Sequence, residues 1–336
     1  MNNPSLLAAP MPAWLKGATA TLQRAQLAGR VPQALLIHEA PGAGGEWLAL
    51  WAAQLVLCLH PQRAPCGSCT GCRRVAALAH PDLIWVGLTE DSRQLRIDEV
   101  RALSAELALT SHAGGYKVAI LTPADALNRF AANALLKTLE EPSPRTLLLL
   151  VATHPSRLPA TVLSRCQRVR VSAPSREEAL AWLHVARGEG DWNAALDTLG
   201  EAPLLAAQSD PAALAQLRTD TRGALAALSC GAADPVATAE RWARSELALR
   251  LQAFENWLTE RVRGGMGEGP FLTEVRPGAY LSDPAPFLNI RELFGLIDEV
   301  RGLRATIDVP LNRGLALEAL FRKITPRAAA RGGGRG

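Results

Sequence analysis

Short apolar runs alternate with stretches of helical spacing through the first half of the chain. The runs Ala34–His38, Leu83–Val86, Lys117–Leu121, Leu147–Ala152 and Arg168–Val171 predict strands. Most are apolar on both faces, which a parallel sheet buried between two helix layers requires. Between them the spacing changes. Ile97, Val100, Leu103 and Leu107 share one face behind the charged start Arg96, Asp98 and Glu99, and this predicts a helix. Strands alternating with helices indicate a three-layer α/β domain.

The strand pattern stops after about Ser172. Ala173-Pro174-Ser175 breaks the chain, and Arg176-Glu177-Glu178 opens a helix. Short helices are predicted to about Ala207. From Asp210 the apolar spacing is long and helical, through Leu214, Leu217, Leu225 and Leu228, then from Trp242 to Val262. Gly264–Pro286 is rich in Gly and Pro and predicts a loop. Two more helices are predicted around Ile290–Leu303 and Asn312–Ile324. The Arg/Gly/Ala-rich tail Ala328–Gly336 predicts disorder. There is no internal repeat.

The 336 residues are enough for two or three domains, and with 48% apolar and 20% charged residues the chain is globular. The formal net charge of +4 permits contact with nucleic acid without arguing for it. No apolar run is long enough to span a bilayer. Met1–Pro12 has no basic region ahead of an apolar stretch, so a cytoplasmic location without a signal peptide is expected. A reducing compartment makes disulfides improbable, and the six cysteines need another role.

Their placement offers one. Cys66-Gly67-Ser68-Cys69-Thr70-Gly71-Cys72 holds three thiols at CxxC spacing, with Cys58 upstream. Such turns aim thiolates at one centre, and four thiolates suit tetrahedral zinc. A zinc so held is structural, because its coordination shell is closed. The alternatives are a redox pair or buried thiols, or His60 in place of Cys58. Cys166 and Cys230 stand alone.

The first predicted strand runs into Glu39-Ala40-Pro41-Gly42-Ala43-Gly44-Gly45-Glu46 and then a helix, the layout of a phosphate loop, with an ordinary Gly-rich turn as the alternative. A working loop ends in Gly-Lys-Ser/Thr. Its lysine meets the β/γ-phosphates and its hydroxyl holds Mg²⁺. Gly45 and Glu46 stand in those places, so the loop (Gly42, Gly44, Gly45, Glu46) is degenerate and no ATP is expected. The strand Lys117–Leu121 leads to Thr122 and Pro123 where a nucleotide hydrolase carries metal-binding acids. Asp125, two residues on, is read as a helix-capping or surface acid.

The segment Asn133-Ala134-Leu135-Leu136-Lys137-Thr138-Leu139-Glu140-Glu141-Pro142 closely resembles a signature of bacterial clamp-loader subunits, which belong to the AAA+ family. Ala152-Thr153-His154 resembles the family's sensor-1 region, and Leu158–Cys166 its Ser-Arg-Cys motif. The cysteine cluster falls where these subunits carry a zinc module. Within the family, gamma/tau keeps an intact phosphate loop and metal-binding acids, and delta lacks Ser-Arg-Cys. Lost loop residues beside a retained zinc module and Ser-Arg-Cys resemble the delta-prime branch. The resemblance runs from about residue 20 to 172. Beyond, it rests on helical content and Pro310-Leu311-Asn312.

This resemblance implies a RecA-like AAA+ parallel-sheet domain at 1–172 with an inserted zinc module at 58–72. A small helical lid at 173–207, an all-α collar at 208–327 and a tail at 328–336 would follow. It implies a loader with gamma/tau and delta partners that places the sliding clamp on primed DNA, as part of the polymerase III holoenzyme. It also implies that Arg165 acts in trans as an arginine finger on a neighbour's ATP. A guanidinium forks onto phosphate oxygens and stays charged. Alternatively, Arg165 ties a strand end to a local carboxylate. Cys166 is then a small buried neighbour. Lys137, Glu140 and Glu141 read as a solvated helix face, or, since the resemblance puts that helix near a subunit boundary, as interface candidates. The region Gly200-Glu201-Ala202-Pro203 lacks the arginine that active members present as sensor 2. Competing readings are an active gamma-like ATPase and a zinc-dependent nucleic-acid-binding protein. The tryptophans, including Trp47, Trp51, Trp242 and Trp257, read as packing residues.

Overall fold

The computed structural model describes residues 7, 9–89, 92, 94–265, 289–307 and 312–326. In chain order the first elements are α1 (Lys16–Leu27), β1 (Ala34–Glu39), α2 (Gly45–Leu57), α3 (Thr70–Ala76), β2 (Leu83–Gly87), α4 (Ile97–Ala108) and β3 (Lys117–Thr122). They continue with α5 (Arg129–Glu140), β4 (Thr146–Ala152), α6 (Ala160–Leu163), β5 (Gln167–Val171) and α7 (Arg176–Arg187). Then come α8 (Trp192–Leu199), α9 (Pro203–Gln208), α10 (Pro211–Ser229), α11 (Pro235–Arg244), α12 (Leu247–Gly265), α13 (Ile290–Ala305) and α14 (Arg313–Ile324). All five predicted strands form, each within one residue of its expected ends. The expected loop at 264–286 lies almost wholly outside the described residues, as do Pro310, Leu311 and the tail from Ala328.

The chain divides into two compact units, residues 1–189 with 201–207, and residues 190–200 with 208–336. The first holds one parallel sheet in the order β2-β3-β4-β1-β5. Strands β3 and β4 are buried along their whole length. The edge strand β5 exposes Gln167, Arg168 and Arg170. On one face, α4 and α5 pack Val100, Leu103, Leu107, Leu135 and Leu139 onto the strands. Local chemistry starts these helices. Asn128 Oδ1 accepts Ala131 N–H at 2.8 Å to cap α5, and Ser175 with Glu178 forms a reciprocal capping box on α7. A buried carboxylate ties the loop before β3. Asp82 is wholly buried and accepts His112 N–H at 2.7 Å and Ala113 N–H at 3.0 Å.

The second unit is helical. The pattern from Trp242 to Val262 is not one helix. It breaks after Arg244, where Ser245 is extended and Glu246 turns left-handed at φ 52°, and α12 starts anew. Its core gathers Trp242, Phe254 and Phe321, with Trp242 edge-on to Phe321 at 4.9 Å between ring centroids. Trp47, Trp51, Trp242 and Trp257 are all buried, as packing residues should be. No helix among the described residues is long and apolar enough to cross a membrane.

Truncating the wholly buried Trp242 removes the aromatic centre of this core. Trp242→Ala is expected to cost the helical unit about 3–5 kcal/mol. Hydrogen exchange should detect faster opening of α11, α12 and α14 amides than of β3 and β4.

Candidate functional site

Three constellations carry the chemistry expected from the sequence, all in the first unit. The first is the cysteine module between α2 and β2. Its four sulfurs lie within 4.8 Å of one another. Cys58 Sγ is 3.9 Å from Cys69 Sγ, and Cys66 Sγ is 4.0 Å from Cys72 Sγ. A tetrahedral ion with metal–sulfur bonds of about 2.3 Å separates its sulfurs by about 3.8 Å, so the four positions fit a metal ion. Backbone amides brace the sulfurs: His60 N–H donates to Cys58, Cys69 N–H to Cys66 and Cys72 N–H to Cys69, each at 3.4 Å. Gly71 permits this fold-back, because a Cβ there would lie 2.4 Å from Leu57 O. The Cys69 amide leads in pulling the Cys66 thiol down to about 5. Burial pushes Cys58 and Cys72 up. A bound cation overrides such differences by favouring thiolate at every ligand. His60 contributes its backbone, through N–H and carbonyl, to Cys58.

The second constellation is the degenerate phosphate loop at the C-terminal end of β1. Gly44 adopts φ 109° immediately before α2. Its N–H and that of Gly45 both donate to Glu39 Oε2, at 3.0 and 2.6 Å. Burial pushes the Glu39 carboxyl up to about 7, with Glu46 and Asp125 adding to the effect and the two amides opposing it. Glu46 stands where the sequence places the metal-holding hydroxyl of a working loop, and Thr122 where it places a metal-binding acid. They bond to each other, Thr122 Oγ1 donating to Glu46 Oε1 at 2.8 Å. Burial raises the Glu46 pKa, against that hydroxyl.

Apolar and backbone groups cover the loop. Trp14 Nε1 donates to Ala43 O at 2.7 Å, and Leu204 N–H to Gly42 O at 3.1 Å. A Cβ on Gly42 would stand 2.6 Å from Ala202 Cβ, and one on Gly44 3.1 Å from Leu15 Cδ1. The segment around Gly200–Pro203 thus brings Ala202, not an arginine, to the loop, while Glu201 pairs with Arg176.

Asp125 corrects the expectation of a cap or surface acid. Its side chain is 6% exposed. A short turn at Ala124–Ala126 carries it under the end of β4, where Oδ2 accepts Thr153 Oγ1 at 3.1 Å and His154 N–H at 2.9 Å. Asn128 is the residue that caps α5. Thr153, expected at the sensor-1 position, spends its hydroxyl on Asp125 and His154.

The third constellation surrounds Arg165, just before β5. Its Nη2 meets Glu140 Oε1 at 2.7 Å, and its Nη1 donates to Thr161 O at 2.9 Å and Ser164 Oγ at 3.3 Å. Arg165, Gln33, Thr146 and Gln167 line a cavity of about 200 Å³ at the N-terminal ends of the strands. Leu35 pairs with Gln167, and Glu39 with Val171. Four strand residues, about 13 Å at 3.3 Å each, therefore separate this end from the chain's own phosphate loop. Cys166 is buried, and burial lifts its thiol to about 11. Lys137 borders a separate groove between α4 and α5. Glu39 went unnoticed in the sequence as a partner of the loop. An acid closing a strand ahead of a Gly-rich turn was the available signal.

A parallel sheet with a phosphate-type loop after β1, a cysteine module after α2 and a Ser-Arg-Cys turn before β5 defines an AAA+-type domain. A family model described as DNA polymerase III, delta subunit, matches residues 15–175. The DNA polymerase III subunit delta' of Pseudomonas aeruginosa is 35% identical over 309 residues, covering 88% of this chain and 93% of that relative. The chain belongs to the DNA polymerase III delta' subunit family. Subunit delta' of Escherichia coli is 36% identical over 62% of this chain and 61% of its own. Subunit tau of Bacillus subtilis is 34% identical over 45% of this chain and 26% of its own.

Protein purified without chelator should contain about one metal ion per chain. Cys69→Ser should lose that ion, and exchange of amides 58–76 should quicken while the sheet stays protected. A folded wild-type chain free of metal would refute the site.

Proposed function

We propose that this chain is a clamp-loader subunit that does not hydrolyse ATP, binds it at most weakly, and lends Arg165 to the ATP site of a neighbouring subunit. In this reading its partners are gamma/tau and delta. Together they open the sliding clamp and place it on primed DNA within the polymerase III holoenzyme. Residues 173–207 serve as lid, and 208–327 as the collar through which subunits associate. The ion of the cysteine module is zinc. Four thiolates close its tetrahedral shell and leave no position for water, which makes the role structural.

One observation carries the reading: Arg165 and the chain's own phosphate loop lie at opposite ends of the strands. Arg165 cannot serve that loop in cis, and its half-exposed guanidinium is available to another chain. The rival reading, an active gamma-like ATPase, needs a lysine at 45 and acids at 122 and 123. Gly45 and the Thr122–Glu46 hydrogen bond oppose it, as does the apolar cover of Leu15 and Ala202.

Measurements on the isolated chain and on the assembled loader test this. Calorimetry on the isolated chain should find no micromolar ATP affinity, and highly purified protein should show no turnover. The finger is tested in a loader reconstituted with wild-type partners. Arg165→Ala should fold and assemble, yet lower the DNA- and clamp-stimulated ATPase and slow clamp loading. Removing a finger on which a single site depends costs roughly 10³–10⁵ in rate. The loss here should be smaller, since other ATP sites draw fingers from other subunits. Arg165→Lys should rescue only partly, lacking the planar fork. Failed assembly would make Arg165 an interface residue, and normal activity a local structural one.

A further inference from the structure

The donors of this phosphate loop converge on one acceptor. Gly44 precedes α2 and Gly45 is its first residue, so their amides are among those a helix start leaves without backbone partners. In a phosphate loop such amides, with the positive end of the helix dipole behind them, hold an oxyanion. Here both donate to the Oε2 of Glu39, at 3.0 and 2.6 Å. Glu39 is the last residue of β1, so the strand itself delivers the carboxylate to the helix start.

A second observation concerns the space. A Cβ at position 45 would lie 2.7 Å from Glu39 Cδ, 2.9 Å from its Oε1 and 2.7 Å from Val151 Cγ1. Position 45 is where a working loop carries its lysine, and the carboxylate fits because that position has no side chain. The loop is covered from above by Leu15, Leu204 and Ala202.

We propose that Glu39 is an internal ligand of the phosphate loop: its carboxylate takes the oxyanion place and holds the loop in a nucleotide-type conformation without nucleotide. This rests on the reading of the loop as one that takes no ATP, and it names what stands in ATP's place. Either protonation state of the carboxyl can accept both amides through Oε2. Burial that lifts Glu39 to about 7 therefore leaves the contact intact. Gln likewise offers one carbonyl oxygen to both donors. Asp keeps the charge but draws it back by one methylene.

The test compares the 336-residue chain with its Glu39→Gln, Glu39→Asp and Glu39→Ala variants by hydrogen exchange at Gly44 and Gly45, alongside ATP calorimetry on each. Slow exchange is expected in wild type and Glu39→Gln. Glu39→Ala and Glu39→Asp should exchange roughly tenfold or more faster, as each buried amide loses its acceptor. If Glu39→Ala does not fold, the Asp and Gln variants make the same comparison. Wild-type exchange rates in the Asp and Ala variants, with no ATP bound by any chain, would overturn the internal ligand and leave the ATP-free reading standing. Tight ATP binding by wild type would overturn both.

Discussion

A parallel sheet buried on both faces must start all its strands at one end and finish them at the other. With β3 and β4 wholly buried and β1 between β4 and β5, every ladder hydrogen bond is fixed, because a buried backbone group without a partner is costly. That constraint distributes the chemistry. Residues that end or follow strands, such as Thr122, Gly44 and Asp125, gather at one end. Residues that precede them, such as Arg165 and Gln33, gather at the other. The separation between phosphate loop and arginine is thus a property of topology, not of any one side chain.

At the C-terminal end, the residues of the Gly-rich loop and of the neighbouring strand ends make contacts internal to the chain. The Gly44 and Gly45 amides meet Glu39, Glu46 meets Thr122, and Thr153 is bonded to Asp125. These contacts depend on one another. Glu39, Glu46 and Asp125 are neighbouring acids, and Glu46 and Asp125 help raise the Glu39 pKa. The loop amides and the Thr122 hydroxyl are what make this density of carboxylates tolerable. A lysine restored at position 45 alone would meet the Glu39 carboxyl and Val151 where it needs space, so the change from a working loop is not undone by one residue.

The fold was legible because its central strands are apolar on both faces over four to seven residues, a pattern few other structures share. The cysteine module was legible because its ligands lie within fifteen residues of one another and spacing alone limits their geometry. The losses at Gly45, Glu46, Thr122 and Pro123 could be seen against a known motif. What replaced them could not. Thr122 meets Glu46 across 76 positions, and Thr153 meets Asp125 across 28. Those pairs exist only once β1, β4 and β3 are in register. Asp125 misled for the same reason: its sequence neighbours suggest a helix start, and only the sheet shows that it lies beneath β4.

The two ends of the sheet also differ in how firmly their charges are held. Glu39 is tied to two amides under an apolar cover, and freeing it would strand buried donors. Arg165 is held otherwise. Its side chain is 36% exposed and that of Glu140 49%, and an ion pair so wet contributes about 0–1 kcal/mol. Its remaining contacts, to Thr161 O and Ser164 Oγ, are exposed bonds on the same short turn. Exchanging one carboxylate for a phosphate of greater charge therefore costs the fold little. The finger role proposed for Arg165 requires an arginine that is aimed but not committed, and an exposed pair with Glu140 is compatible with that requirement.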